Sequence, residues 1–121
     1  MQTPLLRIAS SPATSVPASG TVEEAVKLMV AERIGAVAVL DDGRLVGIFT
    51  ERDLMTKVVA TGIDPKTTKV SDVMVGNPVC VTADTPRSKA LDTMLRGRFR
   101  HLPVTDEDGG LTGMVSIRDL M

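Results

Sequence analysis

The sequence predicts an α+β fold made of two copies of one small βαββα unit, packed sheet to sheet about a pseudo-twofold axis. Three observations carry this. The chain repeats itself at a nearly constant offset. Each copy runs through helical and strand patterns in the same order. Units of about 55 to 60 residues also bury too little surface to be secure alone, so two halves sharing a core is the favoured solution.

The repeat is read directly from the 121 residues. An offset of 65 pairs Ala18 with Ala83, Ala25 with Ala90, Met29 with Met94, Arg33 with Arg98, Val39 with Val104 and Asp41 with Asp106. One inserted residue in the second copy then makes the offset 66. Leu45 meets Leu111, Gly47 meets Gly113, and Arg52-Asp53-Leu54-Met55 meets Arg118-Asp119-Leu120-Met121. A single-residue difference placed in a turn is what duplication produces.

In the first copy, Thr21-Val22-Glu23-Glu24 has the pattern of a capping box, Thr21 bonding the Glu24 amide and Glu24 reaching back. Apolar residues at 22, 25, 26, 29 and 30 mark one helical face. Ala36 to Leu40 reads as a strand, Asp41-Asp42-Gly43 as a turn and Arg44 to Phe49 as a second strand. Thr50 opens another helix through Leu54, Val58 and Val59, with Gly62 as its stop. In the second copy Thr85 caps a helix with Pro86 in its first turn. Its buried face is Ala90, Leu91, Met94 and Leu95. Strands follow at His101 to Thr105 and Leu111 to Val115, joined by Asp106-Glu107-Asp108-Gly109-Gly110. A last helix starts at Ser116 and looks truncated beside its counterpart, Glu51 to Thr61. Extra strands precede the first helices, around Ala13 to Val16 and Val79 to Thr82. The segment between carries a turn at Asp64-Pro65 and a short helix at Val70 to Met74. The expected organisation is therefore repeat 1 over 8–62, a connecting segment over 63–77 and repeat 2 over 78–121.

Composition narrows the function classes. Two Phe with neither Trp nor Tyr leave no stacking platform for nucleic acid, and a net charge of −1 leaves no basic footprint. Cys80 and His101 are each the one residue of their kind, so neither a disulfide nor a metal centre is expected. Cys80, within Val79-Cys80-Val81, reads as a small buried apolar residue. One His and one Cys give no nucleophile–base pair, which argues against an enzyme. The Asp106-Glu107-Asp108 cluster lacks calcium-loop spacing and reads as a solvated turn. Without an apolar run of ~20 residues or a signal-peptide pattern, a soluble cytoplasmic protein is the default expectation, with no membrane partner.

Four segments together resemble a tandem pair of cystathionine-β-synthase (CBS) domains, a Bateman module. They are Gly47-Ile48-Phe49-Thr50-Glu51-Arg52-Asp53-Leu54, Val70-Ser71-Asp72-Val73-Met74, Arg100-His101-Leu102-Pro103-Val104 and Gly113-Met114-Val115-Ser116-Ile117-Arg118-Asp119-Leu120. The resemblance implies a regulatory module binding an adenosine-containing ligand (AMP, ADP, ATP, S-adenosylmethionine or NAD) between the repeats. It also implies disc-like homodimers. An adenine nucleotide would be a regulatory ligand, with no cofactor required.

Thr50 with Asp53, and Ser116 with Asp119, form a Thr/Ser-x-x-Asp element after a glycine-containing strand. Such an element is itself a capping box, while a carboxylate there can also accept from both hydroxyls of a ribose. The resemblance assigns Thr50 and Asp53 to one cleft with Val79, Val81, Thr82, Arg100, His101, Leu102 and Pro103. It assigns Ser116, Arg118 and Asp119 to the other with Thr14, Val16, Gly35, Ala36 and Val37. Arg100 and His101 suit a polyphosphate tail. Gly35 and Ala36 at the matching positions carry no charge, so the first cleft is expected to be the better site. The alternative is a dimeric protein-interaction scaffold with degenerate, ligand-free clefts and a regulated partner protein.

Overall fold

The computed structural model describes residues 13–121, so the part of repeat 1 expected over 8–12 lies outside the described residues. It is a mixed α+β structure with one sheet in each of two units, one spanning Ser15–Asn77 and the other including Pro78–Met121.

The first unit starts with β1 (Ser15–Pro17) and α1 (Val22–Glu32), followed by β2 (Ala36–Asp41) and β3 (Arg44–Thr50). Thr21 Oγ1 accepts from the Glu24 amide at 3.2 Å, which caps α1. Glu24 does not complete the expected box. Val22, Ala25 and Met29 face the core, but Val30 is 72% exposed, contrary to the stripe expected for it. One residue past Met29 is about 100° further round the helix, beyond the buried face. The helix stops at Arg33, whose φ of 57° puts it in the left-handed region while its amide bonds the Met29 and Val30 carbonyls.

β1 runs parallel to β2, and β2 is antiparallel to β3. β4 (Val75–Gly76), not anticipated from sequence, adds to the far edge of β3. Gly47 is what permits this. A Cβ there would meet the Met74 side chain and lie 2.9 Å from the Val75 carbonyl oxygen. The segment after residue 62 thus belongs to the first unit. Its 3-10 turn (Val70–Asp72) carries Val70, which joins Val73, Phe49, Val37 and Val39 in one core.

After β3, α2 (Glu51–Asp53) continues as a π-helix over Leu54–Val59, in which the Ala60 amide bonds the Met55 carbonyl. The expected helix exists, but in a wider winding, with Val58 buried and Met55 and Val59 exposed. Gly62 ends it with a φ of 74°.

The second unit repeats the plan with β5 (Val81–Thr82), α3 (Arg87–Gly97), β6 (His101–Thr105), β7 (Leu111–Ser116) and α4 (Ile117–Leu120). The sheet order is β5-β6-β7, again a parallel pair followed by an antiparallel one. Equivalence reaches backbone detail. The ladder shifts register between Val39 and Leu40, and again between Val104 and Thr105. Arg98, like Arg33, closes its helix at a φ of 57°.

Three expectations need correction here. Thr85 does not cap α3; its Oγ1 accepts from the Thr82 amide at 3.1 Å, and Pro86 occupies the cap position without a side-chain bond. Leu95 is 61% exposed, as its equivalent Val30 is. Cys80 is exposed because β5 begins only at Val81, one residue too late to draw it into the ladder. Its Sγ rests 3.3 Å from the Pro78 carbonyl oxygen, and what burial it has pushes the thiol pKa up. Asp106 folds onto its own turn, accepting from the Asp108 and Gly110 amides.

Candidate functional site

The two Thr/Ser-x-x-Asp elements sit where a strand hands over to a helix. Thr50 ends β3 in an extended conformation (φ −120°, ψ 166°), so its side chain turns back over the first helical turn. Thr50 Oγ1 accepts from the Asp53 amide at 3.2 Å. Asp53 Oδ2 accepts from the Thr50 amide at 3.0 Å and from Thr50 Oγ1 at 3.1 Å. Ser116 ends β7 in the same way (φ −103°, ψ 160°). Its amide donates to Asp119 Oδ2 at 2.8 Å, and its Oγ accepts from the Asp119 amide at 3.2 Å. Both capping boxes are complete, so each carboxylate is already oriented by its own backbone.

The turns differ in what surrounds the carboxylate. Asp53 is only 5% exposed, and its Oδ1 forms an ion pair with Lys57 Nζ at 3.1 Å. The same ammonium donates to the Val73 carbonyl at 3.2 Å. Asp119 is half-buried, and its described bonds are those of its capping box. Lys57 was not among the residues anticipated for the site. The signal was present in the sequence, as a Lys four residues after an Asp on one helix.

Strand register fixes the neighbours within each unit. Thr50 pairs with Ala36, and the Glu51 amide bonds the Gly35 carbonyl at 3.0 Å. In the second unit Ser116 pairs with His101, and the Ile117 amide bonds the Arg100 carbonyl at 2.7 Å. Each unit therefore brings its own Thr or Ser turn beside the start of its own post-helix strand. Arg100 and His101 flank the Ser116 turn, and Gly35 and Ala36 flank the Thr50 turn.

The remaining anticipated residues divide by burial. Val16 and Val37 belong to the first core, and Val81 and Leu102 to the second. Pro103 is also fully buried. These five support the sheets with their side chains. Val79 is 52% exposed and precedes β5. Thr82 spends its polar atoms locally, its amide on Thr85 and its hydroxyl on Asp84. Thr14 is half-buried just before β1, and Arg100 and Arg118 are exposed.

The model of the CBS domain matches residues 6–60 and again residues 70–121. This chain belongs to the CBS-domain family. Among curated proteins, this CBS pair is 40% identical over 97 residues to the Meiotically up-regulated gene 70 protein of Schizosaccharomyces pombe, covering 80% of this chain and 13% of that one. The pair thus spans a small part of the length of such relatives. Among solved structures it resembles the CBS-domain containing protein ATU1752 of Agrobacterium tumefaciens, with a TM-score of 0.87 and 35% identity over 98% of this chain and 96% of that one. It also resembles CBSX2 in complex with AMP, with a TM-score of 0.80 and 26% identity over 97% of this chain and 92% of that one. Among the described residues no helix is long and apolar enough to cross a membrane.

Proposed function

We propose that this CBS pair is a regulatory ligand-sensing module that binds an adenosine-containing ligand, with Asp53 and Asp119 as acceptors for ribose hydroxyls. The observation that carries the reading is the duplicated turn. Two carboxylates are held in matching capping boxes at the ends of matching strands. A capping box leaves Oδ1 outside its own bonds; at Asp53 this oxygen also meets Lys57, and its second lone pair is the acceptor a diol would use. The neighbour solved with AMP supports adenosine as the ligand class. AMP, ADP, ATP, S-adenosylmethionine and NAD are the compounds to test, by calorimetric titration and thermal shift of the intact chain. A double-substitution cycle then asks whether Arg100 couples to Asp119, with which it shares a unit, or to Asp53.

The module also acts as a homodimer in this reading. Val30 and Leu95 are exposed at equivalent positions of α1 and α3. An exposed apolar side chain that occurs twice on one chain suits a second copy of the same chain, which offers the same pair in return.

A further inference from the structure

Lys57 is a charged group that neither the duplicated turn nor its capping chemistry requires. Its ammonium is held by Asp53 Oδ1 at 3.1 Å and by the Val73 carbonyl at 3.2 Å. An ammonium has three N–H donors, so one remains for a further acceptor. The side chain is 42% exposed while that of Asp53 is 6% exposed, so Lys57 is the more accessible member of the pair. Leu54–Val59 is π-helical, and Lys57 lies in that stretch, where π-turns often accompany functional sites.

Charge gives this a consequence. A bare carboxylate that receives a ribose diol also repels the phosphate carried on that ribose. The ammonium beside Asp53 cancels that repulsion and offers a donor for a phosphate oxygen. No ion pair to Asp119 occurs among the described residues; the three there join Lys27 to Glu23, Lys57 to Asp53 and Arg96 to Asp92. We infer that Lys57 is a specificity-determining residue: it makes the Thr50–Asp53 turn selective for the phosphorylated form of its adenosine ligand. The inference rests on the nucleotide-binding reading above and names which member of the ligand class that turn takes.

The test is calorimetric titration of the whole chain with adenosine, AMP, ADP and ATP, comparing the unsubstituted protein with Lys57→Met and Lys57→Arg. Lys57→Met should weaken ADP and ATP by about tenfold, or ~1.4 kcal/mol. Adenosine should change by less than about twofold, since it lacks the phosphate the ammonium serves. Lys57→Arg should restore most of the loss, because the charge and a donor return. Thermal unfolding of each variant checks that the fold persists. Equal weakening of adenosine and ATP would show that Lys57 merely positions Asp53, and unchanged ATP affinity would show that it does not act on the ligand. Either result overturns the inference while leaving nucleotide binding in place. Failure of the unsubstituted chain to bind any of the four compounds overturns the parent reading along with it.

Discussion

Replacing Asp53 separates the capping role of its carboxylate from the ribose-accepting role proposed for it. In Asp53→Ala the Thr50 amide and hydroxyl lose their shared acceptor, and Lys57 loses its partner. Loss of the reciprocal capping bond costs about 1 kcal/mol. The Thr50 hydroxyl loses its bond to the same carboxylate oxygen, which adds about 1 kcal/mol. The ion pair contributes no more than about 0.5 kcal/mol, because Lys57 is well exposed and solvent screens it. The sum is ~2 to 3 kcal/mol, or a fall in Tm of about 10 °C for a chain of this size. Asp53→Asn keeps an oxygen for the Thr50 amide and should cost about 1 kcal/mol or less. Urea unfolding measures both, and calorimetry with AMP and ATP measures binding. Asp53→Asn should remain folded and bind at least about tenfold more weakly. If Asp53→Ala costs under about 0.5 kcal/mol, the capping and pairing geometry is not what holds this turn. If Asp53→Asn binds as tightly as the parent, Asp53 is not a ribose acceptor.

Two further outcomes follow from the packing. Gly47→Ala places a methyl group against Met74 and the Val75 carbonyl, where β4 crosses β3, and should cost about 1 to 3 kcal/mol in urea unfolding; a neutral result would mean that β4 is not held against Gly47. Val30→Glu combined with Leu95→Glu should convert a dimer to a folded monomer in light scattering and circular dichroism, since both side chains are exposed in the single chain; an unchanged mass would place the dimer contact elsewhere.

Much of the architecture was legible because duplication wrote it twice. The helix at Val22–Glu32 and its counterpart at Arg87–Gly97 share core residues at the same spacing, and the paired strands align Val39 with Val104 and Gly47 with Gly113. What was not legible has local causes. Apolar spacing does not distinguish an α-helix from the π-winding after Asp53, since both place Val58 inward. A strand of two residues, Val75–Gly76, is too short to leave a period. Cys80 reads as buried from its valine neighbours, but the ladder begins one residue later. Thr85 had the right neighbour for a cap, yet its hydroxyl is taken by the Thr82 amide. At the site, the sequence marked both Thr/Ser-x-x-Asp turns and Arg100. Lys57 is marked only by its spacing of four residues from Asp53, a pattern that solvated helix faces share with ligand sites. The resemblance assigns Arg100 and His101 to the Thr50 cleft; strand register shows in addition that His101 pairs with Ser116 inside its own unit, which no pattern in the sequence marks.

Titration of the unsubstituted chain with adenosine compounds tests the central claim most directly. At about a hundred times its dissociation constant, the preferred ligand should add ~2.7 kcal/mol of stability, a rise in Tm of roughly 10 °C. The effect should disappear in the doubly substituted Asp53→Asn, Asp119→Asn protein while its fold remains. No rise with AMP, ADP, ATP, S-adenosylmethionine or NAD would contradict the account and leave the duplicated turns as capping structures alone.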